Sequence, residues 1–469
     1  MLAIAQFMVV LDTSIVNVAL PSIEKALHFN VANLQWIVTA YTLAFGGFLL
    51  LGGRAADLYG RRRVFLLGIT GFTVASLGVA VAQTETVMIV LRGLQGLSAA
   101  FMSPAALSIV LITFSEGKDR NRALGVWSAV AAGGAAAGVL LGGILTQYLG
   151  WRWDFFVNVP VGIAVVIAGL RWLPLHESEA EHNDLDLPGA LLVTSGLIVL
   201  VYGLTKAPTW GWTNGQTLAY LGGAVALLAG FIWNESRAKF PLMPLTIFKI
   251  RNVTGANLTQ LPITASLFAM FFFLSLYVQQ ILGYSPVQSG LSFLPVTIII
   301  GITATIASNL VMKYGYKPFM VGAPLLMATG LYLLGKTPVH GSYIVDVLPG
   351  LGIMAVGLGM SFVTITIAAT SGVSKQESGL ASGLLNTSQQ IGGAIGLAIL
   401  AGVASSSTKS YLSDHASQAA AAVPAALVHG YHSAFHVGIG FALTASVVAA
   451  VLIKQPKGQI IEAPLPAAH

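Results

Sequence analysis

The chain contains no cysteine. Disulfides, thiolate nucleophiles and cysteine-based metal sites are therefore excluded, whatever the compartment. Charge is the second shortage. Only 9% of the 469 residues are Asp, Glu, Lys or Arg, whereas 55% are hydrophobic, and the mean hydropathy is +0.80. A soluble globular domain carries roughly 25% charged residues. This chain cannot cover a water-facing surface, which excludes a large soluble enzyme and indicates an integral membrane protein. A third absence is the G-x-x-x-x-G-K-[ST] loop that cradles nucleotide phosphates, which argues against direct ATP drive. The net charge of +6 requires no nucleic-acid partner, because basic residues of membrane proteins collect in cytoplasmic loops.

What is present is a series of apolar runs, each near the length of about 20 residues that crosses a bilayer. They fall at about 2–23, 34–53, 64–82, 87–113, 122–147, 155–173, 187–206, 216–234, 252–282, 287–311, 318–336, 343–370, 378–404 and 433–453, fourteen spans in all. Met1 leads straight into the first run without a basic segment, and Asp12 interrupts it. The first helix is therefore expected to be a mature span and not a cleaved signal peptide. With the N-terminus cytoplasmic, inner loops hold 17 of the 23 Lys and Arg, outer loops hold 5, and Arg92 lies within a span. That asymmetry supports the span count and a topology with both termini cytoplasmic.

An internal repeat is visible. ADLYGRRRVF (56–65) follows the second span and VMKYGYKPF (311–319) follows the tenth, so Tyr59-Gly60 matches Tyr314-Gly315. Spans one to six then mirror spans nine to fourteen, a plan that secondary transporters use to place a cavity between two bundles. The expected organisation is an N-terminal six-helix bundle over 1–175 and a linker with two extra membrane helices over 176–240. A C-terminal six-helix bundle over 241–457 and a cytoplasmic tail over 458–469 complete it.

Four stretches carry chemistry. In GGRAADLYGRRRVF (52–65), Gly53, Asp57, Gly60, Arg61 and Arg62 stand between two spans. Gly60 suits a tight turn, and Asp57 can pair with Arg61 as part of a conformational latch; plain basic decoration of an inner loop is the simpler alternative. In LRGLQGLSAAFMSPA (91–105), Arg92 and Gln95 share a helix face. Arg92 either faces a cavity, where it tunes a nearby carboxylate, or snorkels to the interface. In AAGGAAAGVLLGGIL (131–145), Gly134, Gly138 and Gly142 recur every fourth residue, a spacing that lets helices approach closely. In FMVVLDTSIVNVALP (7–21), Asp12 sits mid-span near Asn17. It is either a hydrogen-bonded strut or a titrating group in a partly wet cavity; burial raises a carboxylate pKa and a nearby arginine lowers it. His429, His432 and His436 share one helix face but lack an accompanying carboxylate or cysteine, so no metal site is expected. Glu177, Glu179, Glu181, Asp184 and Asp186 read as a solvated linker, and about 405–432 reads as a long alanine- and serine-rich outer loop.

These stretches resemble the major facilitator superfamily, and within it the fourteen-helix drug:proton antiporter branch. LDTSIVNVALP, GGRAADLYGRRR, LRGLQGLSAA, WRWDFFVNVPVG, LGYSPVQSGLSFLP and ASGLLNTSQQIGGAIGLA carry the resemblance over nearly the whole chain. It implies that Asp57 and Arg61 belong to a latch, that Arg92 assists proton coupling, and that Asp12 is a proton- or substrate-linked acid, with Asn17 and Gln95 beside them. It also implies that Gly138, Gly142 and Gly143 form an antiporter-type glycine motif. The branch usually has proline where this chain has Val139, and more often an apolar residue where it has Asp154.

The expected function is therefore export of lipophilic drugs or antibiotics across the plasma membrane by proton antiport with alternating access. The proton-motive force replaces any cofactor, the partners are small lipophilic substrates, protons and the lipid bilayer, and the protein is expected to act as a monomer. The scarcity of midplane acids favours neutral, anionic or monocationic cargo. A facilitator, an uptake carrier or a lipid or amphiphile transporter without proton antiport is the alternative within the same fold. A membrane-embedded enzyme or sensor would need a reactive constellation or a soluble domain, and neither is visible.

Overall fold

The computed structural model describes residues 1–29, 31–114, 118–173, 185–373, 378–415 and 419–455. Long helices dominate, and the described residues contain no strand. In chain order they are α1 (Leu2–Leu27), α2 (Trp36–Tyr59), α3 (Arg61–Ala80), α4 (Glu85–Thr113), α5 (Lys118–Tyr148), α6 (Trp153–Trp172), α7 (Leu187–Trp210) and α8 (Gly215–Arg237). Then come α9 (Arg251–Ile281), α10 (Pro286–Tyr314), α11 (Lys317–Leu334), α12 (Tyr343–Thr370), α13 (Ser378–Asp414) and α14 (Ala419–Leu452). Thirteen of them are long and apolar enough to cross a membrane, and α5, with 31 residues, is the fourteenth long helix. The chain is a multi-pass membrane protein. The long segments at 252–282 and 343–370 each form one helix, with a π-helical turn at Tyr277–Ile281 and at Tyr343–Val347.

One expectation fails. The stretch 405–432 is not a long loop: α13 runs on to Asp414 and α14 begins at Ala419. The 37 residues of α13 measure about 55 Å at about 1.5 Å per residue, against a hydrocarbon core of about 30 Å. The alanines at 419–422 and 425–426 supply high helix propensity at the start of α14, where hydropathy alone suggests a loop. Of the acidic linker residues, Asp186 lies within the described residues and is not solvated: it caps α7 by accepting from Gly189 N at 2.8 Å. Glu177, Glu179, Glu181 and Asp184 lie outside the described residues.

Within residues 1–173, α1 packs on α5, α2 and α3 both pack on α4, and α6 packs on α3. Within residues 251–455, α9 packs on α13 and α14, and α12 packs on α10 and α11. Helices α7 and α8 pair with each other, and α7 lies beside α2 and α13. The repeat has a conformational counterpart. Gly60 (φ 92°) and Gly315 (φ 76°) make the turns after α2 and α10, in the left-handed region that side chains avoid.

The two ends of the bundle differ. At the terminal end, where α1 begins, the start of α9 is tied to the end of α14 by Arg251 Nε donating to the Leu452 carbonyl at 2.8 Å. At the opposite, distal end, four hydrogen bonds among the described residues join the two halves. Ser275 Oγ donates to the Asn17 carbonyl at 2.5 Å, Gln279 Nε2 to the Val18 carbonyl at 2.9 Å, Gln280 Nε2 to Glu24 Oε2 at 2.6 Å, and Val287 N to Gln147 Oε1 at 3.2 Å. Gly143 adds a close approach there, since a Cβ on it would lie 2.5 Å from the Pro286 carbonyl oxygen.

Candidate functional site

Asp12 lies near the middle of α1, and its side chain is 0% exposed. An ionised carboxylate in such a place is tolerated only when paired and fully hydrogen-bonded. Both conditions hold. Oδ2 accepts from Arg92 Nη1 at 2.6 Å, and Oδ1 accepts from Gln95 Nε2 at 2.7 Å and Asn158 Nδ2 at 2.9 Å. Arg92, itself 1% exposed, also donates from Nε to the Ile37 carbonyl at 2.9 Å and from Nη1 to Gln95 Oε1 at 2.6 Å. Gln95 Nε2 reaches Ser76 Oγ at 2.8 Å. The guanidinium lies 4.5 Å from the Tyr41 ring centre and 5.6 Å from that of Phe155, within reach of cation–π attraction.

Five helices converge on this pair: α1 gives Asp12, α2 gives Ile37 and Tyr41, α3 gives Ser76, α4 gives Arg92 and Gln95, and α6 gives Phe155 and Asn158. The sixth, α5, supplies the glycine stripe. A Cβ on Gly134 would lie 3.2 Å from Val10 Cβ, on Gly138 2.7 Å from Ser14 Cβ, and on Gly142 2.8 Å from Ile15 Cγ1. The stripe therefore seats the stretch of α1 that carries Asp12. Arg92 does not snorkel, and Asp12 is not in a wet cavity in this conformation. The two are sealed together because each offsets the other's cost of leaving water. Asn17 is not part of the network: its side chain bonds the Thr13 carbonyl at 3.1 Å, and its own carbonyl joins the distal closure.

Asp57 at the end of α2 and Arg61 at the start of α3 form an ion pair of 3.2 Å across the Gly60 turn, within one half and open to solvent. Arg62 instead donates to the Leu170 carbonyl at 2.7 Å, tying α3 to the end of α6. Gly53 has open surroundings, with Pro104 Cβ 3.8 Å from where its Cβ would be. Among the histidines, His432 Nε2 lies 2.8 Å from the Thr337 carbonyl and the His429 ring is 5.3 Å from that of Tyr411.

Three network members were not singled out from sequence: Tyr41, Ser76 and Asn158. For Asn158 a signal exists, since it follows Asp154 by four residues in WRWDFFVNVP and so shares its helix face. Asp154, also 0% exposed, accepts from Thr146 Oγ1 at 2.5 Å. Near the terminal end, a cavity of about 860 Å³ is lined by Leu2, Ile109, Phe114, Trp127 and Trp172, with Asp119 and Arg122 at its edge. It lies within the first half, against α1, α4, α5 and α6, and its lining is mainly apolar.

The pattern of the Major Facilitator Superfamily matches residues 2–397. The puromycin resistance protein of Streptomyces alboniger is 40% identical over 454 residues, covering 96% of this chain and 89% of that one. The cephamycin export protein of Amycolatopsis lactamdurans is 38% identical, covering 96% and 90%, and the tetracenomycin C resistance and export protein of Streptomyces glaucescens is 36% identical, covering 85% and 74%. Among solved structures, a bacterial homologue of the human lysosomal transporter Spinster, in an inward-facing and occupied conformation, superposes with a TM-score of 0.70 at 15% identity, covering 96% and 94% of the two chains. That likeness is one of fold alone. With its helical plan, its repeat and its match over residues 2–397, the chain belongs to the Major Facilitator Superfamily.

Proposed function

We propose that this protein exports lipophilic antibiotics or drugs across the plasma membrane by proton antiport, with the two halves rocking between opposed openings. The asymmetry of basic residues supports cytoplasmic termini. The distal end is then the outer face, and the hydrogen bonds there close the outside in this conformation. Relatives named for puromycin, cephamycin and tetracenomycin C support antibiotics as the substrate class. The apolar cavity at the terminal end supports a lipophilic cargo taken from the cytoplasm or the inner leaflet. The working unit is a monomer, with the proton-motive force in place of a cofactor.

The observation that carries the coupling is the enclosed Asp12–Arg92 pair. A proton on Asp12 would remove the charge that holds Arg92, and a buried arginine without its partner must reorganise. Protonation is thereby linked to helix packing at the junction of five helices. The drive is adequate: one charge across about 100 mV is worth ~2.3 kcal/mol and ~1.4 kcal/mol is tenfold in concentration, so one electrogenic proton sustains a gradient of order tens-fold.

A facilitator without antiport is the second reading. It is favoured by Val139, in place of the branch's proline, and by the absence of exposure at Asp12. Efflux of labelled puromycin from cells expressing the protein separates the two. Antiport predicts efflux against a gradient that stops when a protonophore is added. Equilibration only, insensitive to the protonophore, would support the facilitator instead.

A further inference from the structure

Asp154 is a second carboxylate sealed into the same region, and the Asp12–Arg92 account leaves it unused. It lies at the distal start of α6, one helical turn (about 5.4 Å of rise) before Asn158. It is 0% exposed, and Oδ2 accepts from Thr146 Oγ1 at 2.5 Å. Oδ1 has no hydrogen-bond partner among the described residues, and neither does Asn158 Oδ1. Asn158 Nδ2 is already committed to Asp12.

Two buried acceptors on one helix face thus stand without a donor. The charge balance gives the same shortage. The helices packed around Asp154 present Asp12 from α1 and Arg92 from α4. Ser76 of α3, which joins the Asp12 network, and Thr146 of α5, which bonds Asp154, are uncharged. Tyr41 on α2 lies with its ring against Arg92 and its hydroxyl buried beside Thr13. Arg152, near the start of α6, is turned away to the Ala82 carbonyl at 3.1 Å. One guanidinium and two carboxylates leave one negative charge uncompensated in a dry site, which is costly. A single proton on Asp154 Oδ1 turns that unpartnered acceptor into a donor and brings the site to neutrality.

We infer that Asp154 is a second proton-binding acid, resident in its protonated form while the distal end is closed and Asp12 remains ionised against Arg92. This rests on the antiport reading for its role in transport, but not for its protonation. Asp154 is nearer the distal end than Asp12, so of these two buried acids it is the first to be loaded when that end opens. Transfer onward breaks the O–H bond at Asp154 and forms one at Asp12. The site stays neutral, and the negative charge moves from Asp12 to Asp154.

Infrared difference spectroscopy of the protein in lipid bilayers tests this, reading the C=O stretch of a protonated carboxyl group. Thr146 bonds Asp154, not Asp12, so Thr146→Val, nearly isosteric, reports which acid holds the proton. The expected result is a carboxyl band that Asp154→Asn abolishes and Thr146→Val shifts. A spectrum in which Asp154→Asn removes no band, or Thr146→Val leaves the band unmoved, overturns the assignment. In vesicles, Asp154→Asn is expected to keep drug–drug exchange, which needs no net proton movement, and to lose drug-driven proton flux. Full proton flux in that variant overturns the transport role. Absence of proton flux in the parent protein defeats antiport itself, while the spectra still decide the protonation of Asp154.

Discussion

Arg92 shows how a cation is kept inside a membrane bundle. Its donors are spent on Asp12, Gln95 and the Ile37 carbonyl, and two rings cover its faces. Breaking a buried pair by removing one partner costs about 3–5 kcal/mol, so Arg92→Ala is expected to lower the thermal unfolding temperature in detergent sharply. Arg92→Lys should restore little, because an ammonium cannot match the planar fork. The exposed Asp57–Arg61 pair behaves oppositely. Exposed pairs contribute about 0–1 kcal/mol, so Asp57→Asn should leave the unfolding temperature nearly unchanged while slowing drug efflux; a large loss of stability would place Asp57 in a structural role instead. Asp12, Arg92 and Gln95 were legible in the sequence because an ionisable or amide side chain in an apolar span is conspicuous. Tyr41 and Ser76 were not, because helical spacing gives the face of a residue but not which neighbouring helix that face meets.

Among the elements, α5 has the clearest sequence signature and a mechanical consequence. Gly138 seats α1 so closely that an added Cβ would lie 2.7 Å from Ser14 Cβ and 2.9 Å from the Leu11 carbonyl oxygen. Overpacking of this kind costs about 1–3 kcal/mol. Gly138→Ala is therefore expected to lower stability and disturb transport, measured as unfolding temperature and drug efflux together. Gly133→Ala is the control: a Cβ there meets nothing within 4 Å, and alanine favours helix over glycine, so stability should hold or rise. The turns after α2 and α10 were legible from Tyr-Gly pairs, and both glycines take positive φ. The extensions of α13 and α14 were missed because the spans were bounded by hydropathy, which falls at Ser405, Ser406 and Ser407, whereas backbone hydrogen bonding continues through them.

In the whole molecule, the hydrogen bonds found between the halves lie at the distal end, where Asn17, Val18, Glu24 and Gln147 of the first half meet Ser275, Gln279, Gln280 and Val287 of the second. The spans and the repeat are legible in the sequence, but which end of the bundle is closed depends on contacts between distant segments and leaves no local signal. The natural absence of cysteine makes the closure directly testable. Cysteines at Glu24 and Gln280, joined by a short thiol-reactive bridge, are expected to stop efflux, with recovery when a cleavable bridge is reduced. Undiminished efflux in the bridged protein would show that the halves do not part there. The most direct test of proton-coupled export follows proton movement itself in inverted membrane vesicles with an acid interior. Adding puromycin or another lipophilic antibiotic should dissipate the gradient with the parent protein and fail to do so with Asp12→Asn. Transport of labelled antibiotic without proton movement in either protein would contradict antiport, and dissipation that survives Asp12→Asn would remove Asp12 from the coupling path.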